Sequence, residues 1–504
     1  MTSGHLEVET KHDVDGDFVL PELTGLPGVA TVDAPVEYLL EAVYFDTADL
    51  RLLRARVTLR RRSGGSDEGW HLKLPAGTAR REVHAPLGRA VKQAPKVLLE
   101  PVAGVVRGKT PRPVATLSTR RLVTFLRGPD GDVLAEVADD TVTATVPSTG
   151  PGEPTEVMSW REVEVELGTG DDALAAAVGE RLGAAGARPS ASASKIGRAL
   201  GNRLAAVAVV PPGTEPADAG EFLRAALADQ VAALQAADIM LRTDQPDAVH
   251  QLRVAARRLR STMVSFRPVL DRTVTEPLRE ELSWFGGELA TARDDEVALE
   301  HLRAVVAAEP VELVLGPVAA RLQQAELREV ESGAERARAT LSDPRYLALL
   351  DALHAMLADP PLTEGAAAPV RPVLRTATRR SVRKLRRRLT AAREATEEAR
   401  GAALHGVRKA AKQLRYTAEV GRGEVPGLKR VRRAAKRVQT VLGERQDTVI
   451  TRELCRSLGV TAFAEGENGF TYGRLHALEQ ARADRAERKF WNMVPRLAVV
   501  LSDD

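Results

Sequence analysis

Near the start of the chain, Glu7, Glu9 and Lys11 alternate with Leu6, Val8 and Thr10. Period two is the repeat of a β-strand, so both carboxylates and the ammonium share one face. Enclosed, such a face could hold a metal with its acids and an anion with its lysine. Later stretches extend the pattern. Arg60 and Arg62 share a face opposite Leu59 and Arg61, and His71 and Lys73 face away from Trp70, Leu72 and Leu74. Glu162, Glu164 and Glu166 share a face opposite Val163, Val165 and Leu167. The signs segregate onto different strands, whereas a solvent face usually mixes them. A sheet closed with these faces inward has one basic and one acidic wall. The acids suit Mg²⁺ or Mn²⁺, which prefer oxygen ligands, and the bases suit phosphates. The competing reading is a sheet with its charged face in water. Alternation alone does not separate the two.

A second constellation lies far downstream. His250 is followed by Arg253, Arg257 and Arg260, and His405 by Arg408, Lys412 and Arg415, at the same offsets. Those offsets trace one face of a helix. Each copy later carries Arg-x-Asp-x-Val, at Arg293, Asp295 and Val297 and at Arg445, Asp447 and Val449. The match predicts two related helical subunits. Basic stripes on helices are commonly solvated, but they then alternate with Glu in i,i+4 pairs. These carry almost none, so an external polyanion is expected to neutralise them. Aromatics are only 4% of the chain, which argues against stacking on nucleic-acid bases. A phosphate chain without bases, inorganic polyphosphate, fits better.

The elements that must position these residues fall into two halves. With 504 residues, 28% charged and 44% apolar, two or three soluble domains are expected. The first 200 residues read as consecutive strands separated by turn chemistry, which predicts an antiparallel sheet or barrel. The stretch 209–220, with adjacent prolines, reads as a linker. Beyond it Ala, Leu, Arg and Glu recur at helical spacing, which predicts an all-α half. The net charge of +3 hides a block at 371–445 with 23 Lys/Arg against six Asp/Glu, again pointing to a polyanion. No apolar run is long enough to span a bilayer. The lone Cys455 excludes an internal disulfide, and a cytoplasmic location is expected.

The ordered motifs of the first half resemble those of the CYTH superfamily, the triphosphate tunnel metalloenzymes. They are ExExK at Glu7, Glu9 and Lys11, YFDT at Tyr44–Thr47, LRxR at Leu59–Arg62 and the lysine of WHLKL. The Arg120–Arg121 pair, the GDVLAEVADD and EVEVEL strands and Ser194–Lys195 follow in order. The resemblance covers 3–205. It implies an eight-stranded antiparallel tunnel that binds triphosphate and a divalent cation, Mg²⁺ or Mn²⁺. Carried over, Glu7, Glu9, Glu162, Glu164 and Glu166 are the metal-side acids, with Asp140 a further candidate. Glu7, Glu9 and Lys11 are the catalytic set. Lys11, Arg60, Arg62, Lys73, Arg121 and Lys195 clamp phosphates, Arg120 competes with Arg121 for the inward position, and Glu82 is a candidate to orient a clamp arginine.

In the second half the His-x-x-Arg face, its repeat and the RDDEV and LGERQDTV segments resemble a CHAD domain, over 221–495. That implies two four-helix bundles that bind polyphosphate, with His250 and His405 as the named histidines. The expectation is an α+β chain, an eight-stranded β tunnel followed by two pseudo-symmetric four-helix bundles. Its expected activity is metal-dependent hydrolysis of tripolyphosphate, as an inorganic triphosphatase. The alternatives are polyphosphate binding without turnover, or hydrolysis of an organic triphosphate such as thiamine triphosphate. No GxxxxGK[ST] loop is present, so a P-loop mechanism has no support.

Overall fold

A computed structural model describes residues 4–502, leaving out 8, 66, 78, 89–92, 149, 151, 153, 207–214 and 290. At 4–7, 291–296, 498–499 and 501–502 the backbone alone is described. The chain divides into two compact units, Met1–Pro211 and Pro212–Asp504.

The first unit contains β1 (Gly4–Glu7), β2 (Glu9–Val14), β3 (Thr31–Val32), β4 (Val36–Asp46), β5 (Thr58–Ser63) and β6 (Gly69–Ala76). It continues with β7 (Ala79–Ala85), β8 (Arg112–Arg127), β9 (Val133–Val146), β10 (Glu156–Leu167) and β11 (Arg188–Pro189). All pairings are antiparallel, in the order β1-β7-β6-β5-β4-β8-β9-β10-β2, with β11 beside β2 and β3 beside β8. β1 and β2 flank a single residue yet lie at opposite ends of this path. The sheet therefore closes on itself, with β1 and β2 sharing one of eight staves.

Closure puts one face of every strand inside. The outer apolar face is covered by the helix Asp172–Ala184, whose Leu174, Val178 and Leu182 pack on Val137, Val163 and Val165. Asp171 caps it, accepting from the Leu174 amide at 2.9 Å, as an aspartate at that position should. The inner face changes character along the strands. Ala42, Leu117, Val142 and Ala144 fill part of the lumen against Ile196, Ala199 and Leu200, and the rest is charged. Arg62, Glu162 and Glu164 are each less than one-tenth exposed. A charged face in water is thereby ruled out.

The second unit is all-helical and repeats a four-part pattern. Ala219–Arg242 and Ala248–Ser265 correspond to Val370–Glu394 and Glu397–Val420. The third part is Arg272–Glu288 with Thr291–Ala307 in the first copy, and the single helix Leu428–Ala464 in the second. The fourth is Val318–Ser342 with Pro344–Ala358, against the single helix Phe470–Ser502. Pro344 explains one break, because the residue before a proline is pushed out of the helical region; Asp343 has ψ 130 there. Beyond the expected pair of bundles, the distal stretches of both copies form a shared core of Leu299, Leu302, Leu322, Cys455, Tyr472 and Leu475. The expected linker is shorter at its end: Asp218 caps Ala219–Arg242, and Ala219 and Gly220 are buried in that helix. Its small polar residues had disguised an N-cap. Among the described residues no helix is long and apolar enough to cross a membrane.

Candidate functional site

The lumen of the first unit opens into a cavity of about 340 Å³ lined by both signs of charge. Register explains how the acids meet. Glu166 of β10 lies directly opposite Glu9 of β2 on one side and Glu136 of β9 on the other. Three carboxylates thus form a row across three adjacent strands, all lining the cavity. Like charges placed directly opposite in a sheet are destabilising. The partners available are few: Lys11 lies 3.3 Å from Glu9, and Arg121 lies 3.8 Å from Glu136. Glu166 has no ion pair among the described residues. Burial pushes the Glu136 carboxyl above its ordinary value, against the pull of Arg121. Hard oxygen donors in uncompensated excess are the donor set of a divalent cation, and the row fits one.

Deeper in, Asp140, Glu162 and Glu164 bring carboxylate oxygens within 4.8 Å of one another. These three buried acids are also of the type that holds a divalent metal. Here their cation is Lys195, whose Nζ lies 2.9 Å from Asp140, 2.8 Å from Glu162 and 2.6 Å from Glu164. Ser194 caps the short helix Lys195–Ala199, accepting from the Gly197 amide at 3.1 Å. Ile196 and Ala199 anchor that helix in the apolar part of the lumen, which delivers Lys195 to the acids. Arg121 donates twice to Asp140, at 2.8 and 2.7 Å, and to Glu164 at 2.7 Å. Lys11 also pairs with Glu164. Burial alone would raise the Glu164 carboxyl, but Lys11, Lys195 and Arg121 hold it well below its ordinary range.

Facing the acids, β5, β6 and β7 supply Arg60, Arg62, Lys73 and Arg80. Burial, then the Arg60 and Arg121 guanidiniums, push Arg62 down to about 9. Arg62 pairs with Asp67 at the cavity edge. Burial would raise the Tyr44 phenol, yet Arg60 beside it, with Lys195 and Lys73, holds it below its ordinary value. The Nε atoms of Arg60 and Arg62 are buried without hydrogen-bond partners, so the wall carries positive charge and donors that an anion could satisfy.

Most of the expected site residues converge here: Glu9, Lys11, Arg60, Arg62, Lys73, Arg121, Glu164, Glu166 and Lys195 line one cavity. Asp140 and Glu162 lie behind it, at 0% and 2% exposure. Glu82 lines the cavity and meets His71 Nδ1 at 2.7 Å. The Glu7 side chain lies outside the described residues, though its backbone is in register with Arg80. Arg120 corrects one expectation. It follows the alternation of β8 to the opposite face from Arg121 and pairs outside with Glu37 at 2.7 Å. Glu136 and Arg80 were missed. Glu136 could have been found, since it shares a parity with Asp140 on the same strand.

In the helical unit the two stripes come together. The helices Ala248–Ser265 and Glu397–Val420 meet where the Ser265 and Thr417 hydroxyls lie 2.7 Å apart. Arg257, Arg260, Arg408, Lys412 and His405 line one groove with Arg267, Arg279 and Lys384, and no acid lines it among the described residues. Arg253 joins Arg257 and Arg260 in an adjoining depression. Two of the stripe residues lie apart from this groove. His250 is exposed and is not among the groove-lining residues. Arg415 turns aside, 4.5 Å over the Tyr416 ring and 3.7 Å from Glu419. The Arg293 and Asp295 side chains lie outside the described residues.

Burial, then Arg257, Arg408, Arg415 and Arg253, push the Lys412 ammonium down to about 7. A polyanion in the groove would restore its proton. At Lys412, binding then takes up a proton only above that pH, so this residue's contribution to affinity should be constant below about pH 7 and fall as pH rises beyond it. Titrations of polyphosphate across pH 6 to 9 check this. Lys412→Gln should bind more weakly and lose the pH-dependent limb.

Comparison with known proteins agrees with the two-part architecture. The CYTH domain family matches residues 5–199 and the CHAD domain family residues 225–456. The uncharacterized protein Rv2226 of Mycobacterium tuberculosis (strain ATCC 25618 / H37Rv) is 38% identical over 500 residues, covering 96% of this chain and 94% of that protein. PptA from Streptomyces chartreusis is similar over 55% of this chain and 98% of its own, at 23% identity and a TM-score of 0.45. The CHAD domain from the plant Ricinus communis is similar over 58% of this chain and 95% of its own, at 24% identity and a TM-score of 0.44. This chain belongs to the family of proteins that join an N-terminal CYTH domain to a C-terminal CHAD domain.

Proposed function

We propose that the β unit hydrolyses short inorganic phosphate chains, most simply tripolyphosphate, with Mg²⁺ or Mn²⁺, and that the helical unit binds polyphosphate. The observation that carries the first part is the Glu9–Glu166–Glu136 row facing Arg60, Arg62, Lys73 and Arg80 across one cavity. Glu9, Glu136 and Glu166, with Glu164 beside them, would hold the divalent cation. Bound there, such a cation would supply charge neutralisation on the phosphoryl oxygens and Lewis acidity. Arg60, Arg62, Lys73 and Arg80 hold the chain's remaining oxygens and fix its line of approach. A carboxylate of the acidic row takes the proton of the attacking water as the P–O–P bridge breaks. The leaving phosphate remains gripped by the basic wall, where its developing charge is stabilised.

The test is phosphate release from tripolyphosphate by the folded chain, with either metal, in wild type and in Glu9→Gln. Metal-dependent release that Glu9→Gln abolishes is expected. Binding without release, with both metals, would replace hydrolysis by retention. Release from thiamine triphosphate in preference to tripolyphosphate would make the substrate organic.

A further inference from the structure

We infer that the polyphosphate track is asymmetric: it leaves the groove between the two stripe helices and continues along Val370–Glu394, whereas the corresponding helix Ala219–Arg242 offers no such face. The inference rests on the proposed polyphosphate binding and extends it to residues outside either stripe. A second groove is lined by Arg267, Arg380, Arg383, Lys384 and Arg387, with Gln413. It shares Arg267, Lys384 and Gln413 with the first groove, so the two are continuous. Lys384 sits at the junction, donating to Gln413 Oε1 at 2.6 Å. Burial, then Arg388 and Arg267, hold its ammonium below the ordinary value.

Arg380, Arg383, Lys384 and Arg387 recur at i, i+3, i+4 and i+7, which places them on one helical face. That face runs about 10 Å along the axis. Arg380, Arg383 and Arg387 are exposed, and none of the four makes an ion pair among the described residues. A helix with ten Lys/Arg and one acid, Glu394, gains nothing from its own sequence for holding them together.

The corresponding helix Ala219–Arg242 is different in kind. It has two arginines and three acids. Arg242 is bound to Asp238 at 2.6 Å, and Arg224 donates to the Leu357 carbonyl at 3.1 Å. Approximate symmetry of the backbone is thus broken in charge. A chain of phosphates can extend from the central groove along Val370–Glu394 but not along Ala219–Arg242, and only a chain long enough to fill both grooves uses the second.

The experiment compares the full-length wild type with three double variants: Arg383→Gln/Arg387→Gln, Arg257→Gln/Lys412→Gln and Arg328→Gln/Arg336→Gln. The last removes the same charge from exposed positions on Val318–Ser342. Long-chain inorganic polyphosphate is titrated at several salt concentrations, and melting curves check folding. Each phosphate contact adds about 0.7 to the slope of log affinity against log salt for a single strand. The 383/387 variant should therefore lose about 1.4 in slope, and the 328/336 variant none. A short polyphosphate that fills only the first groove should bind the 383/387 variant as it binds wild type. Unchanged slope and affinity for long chains in the 383/387 variant, with binding lost in the 257/412 variant, would confine the track to the first groove. Equal losses in the 383/387 and 328/336 variants would make the attraction diffuse and overturn the track. A wild type that binds no polyphosphate would overturn the functional reading itself.

Discussion

Replacing Lys195 by methionine is expected to destabilise the β unit by about 3–5 kcal/mol at neutral pH, the cost of leaving buried charges without their partner. Methionine keeps most of the stem's volume and removes only the ammonium. What remains is Asp140, Glu162 and Glu164, with carboxylate oxygens within 4.8 Å of each other. Arg121 would remain bridged to Asp140 and Glu164, and Lys11 to Glu164. Among the described residues, Glu162 would keep only the Trp160 Nε1–H, which donates at 2.6 Å. Clustered carboxylates bind protons more tightly in the folded state than when unfolded. The loss of stability should then be full near pH 7 and shrink as pH falls toward the ordinary carboxylate range. Denaturant melts at pH 7 and pH 5 check both magnitude and sign. A second readout separates charge from packing: Mn²⁺ or Mg²⁺ should raise the melting temperature of the variant more than that of wild type. A penalty of the same size at both pH values and insensitive to metal would mean that Lys195 acts through its stem alone.

That arrangement also shows where the sequence could and could not be read. Strand identity was legible because charged and apolar residues alternate cleanly, as in Glu162–Leu167 and Leu59–Arg62. Which face was enclosed was not. Closure depends on the chain stepping from β7 to β10 between Glu7 and Glu9, and nothing in the alternation of those residues marks that step. Register was equally hidden. Glu136 belongs with Glu9 and Glu166 because three strands place them opposite one another, although 127 residues separate Glu9 from Glu136 in the chain. Arg120 and Arg121 differ by one residue, so the question of which points inward reduces to strand parity. That parity follows from Arg121 lying opposite Asp140.

The helical half was legible in a different measure. Two basic stripes at equal offsets implied two related helices, and those helices do meet. Spacing along a helix fixes which residues share a face, but not how far a groove between two helices extends. His250 therefore shares the stripe and lies outside the groove, while Arg415 is drawn to Tyr416 and Glu419. The Val370–Glu394 cations carried a signal in composition alone. Their meaning came from the partner helices that place Lys384 beside Gln413.

Glu166→Gln is expected to reduce metal-dependent tripolyphosphate hydrolysis about 100-fold or more while leaving the fold intact. The size follows from losing a charge that positions a Lewis acid worth several kcal/mol to the transition state, at about 1.4 kcal/mol per factor of ten. Glu166 is the informative choice because its role in the unliganded fold is small. Glu164 holds Lys11, Lys195 and Arg121 at once, so its replacement would disturb the fold and the chemistry together. Glu166 has no ion pair among the described residues and sits between two like charges, Glu9 and Glu136. Removing its charge relieves that repulsion. The unfolding midpoint without metal should stay the same or rise. With metal present, the midpoint should rise less than in wild type, because stabilisation by a bound ion scales with its affinity. Hydrolysis measured against Mg²⁺ and Mn²⁺ concentration should show a higher metal requirement as well as a lower maximum. Wild-type activity at the wild-type metal requirement would move the cation away from the Glu9–Glu166–Glu136 row. It would then have to compete with Lys195 for Asp140, Glu162 and Glu164, where binding must first displace an ammonium within 2.9 Å of all three.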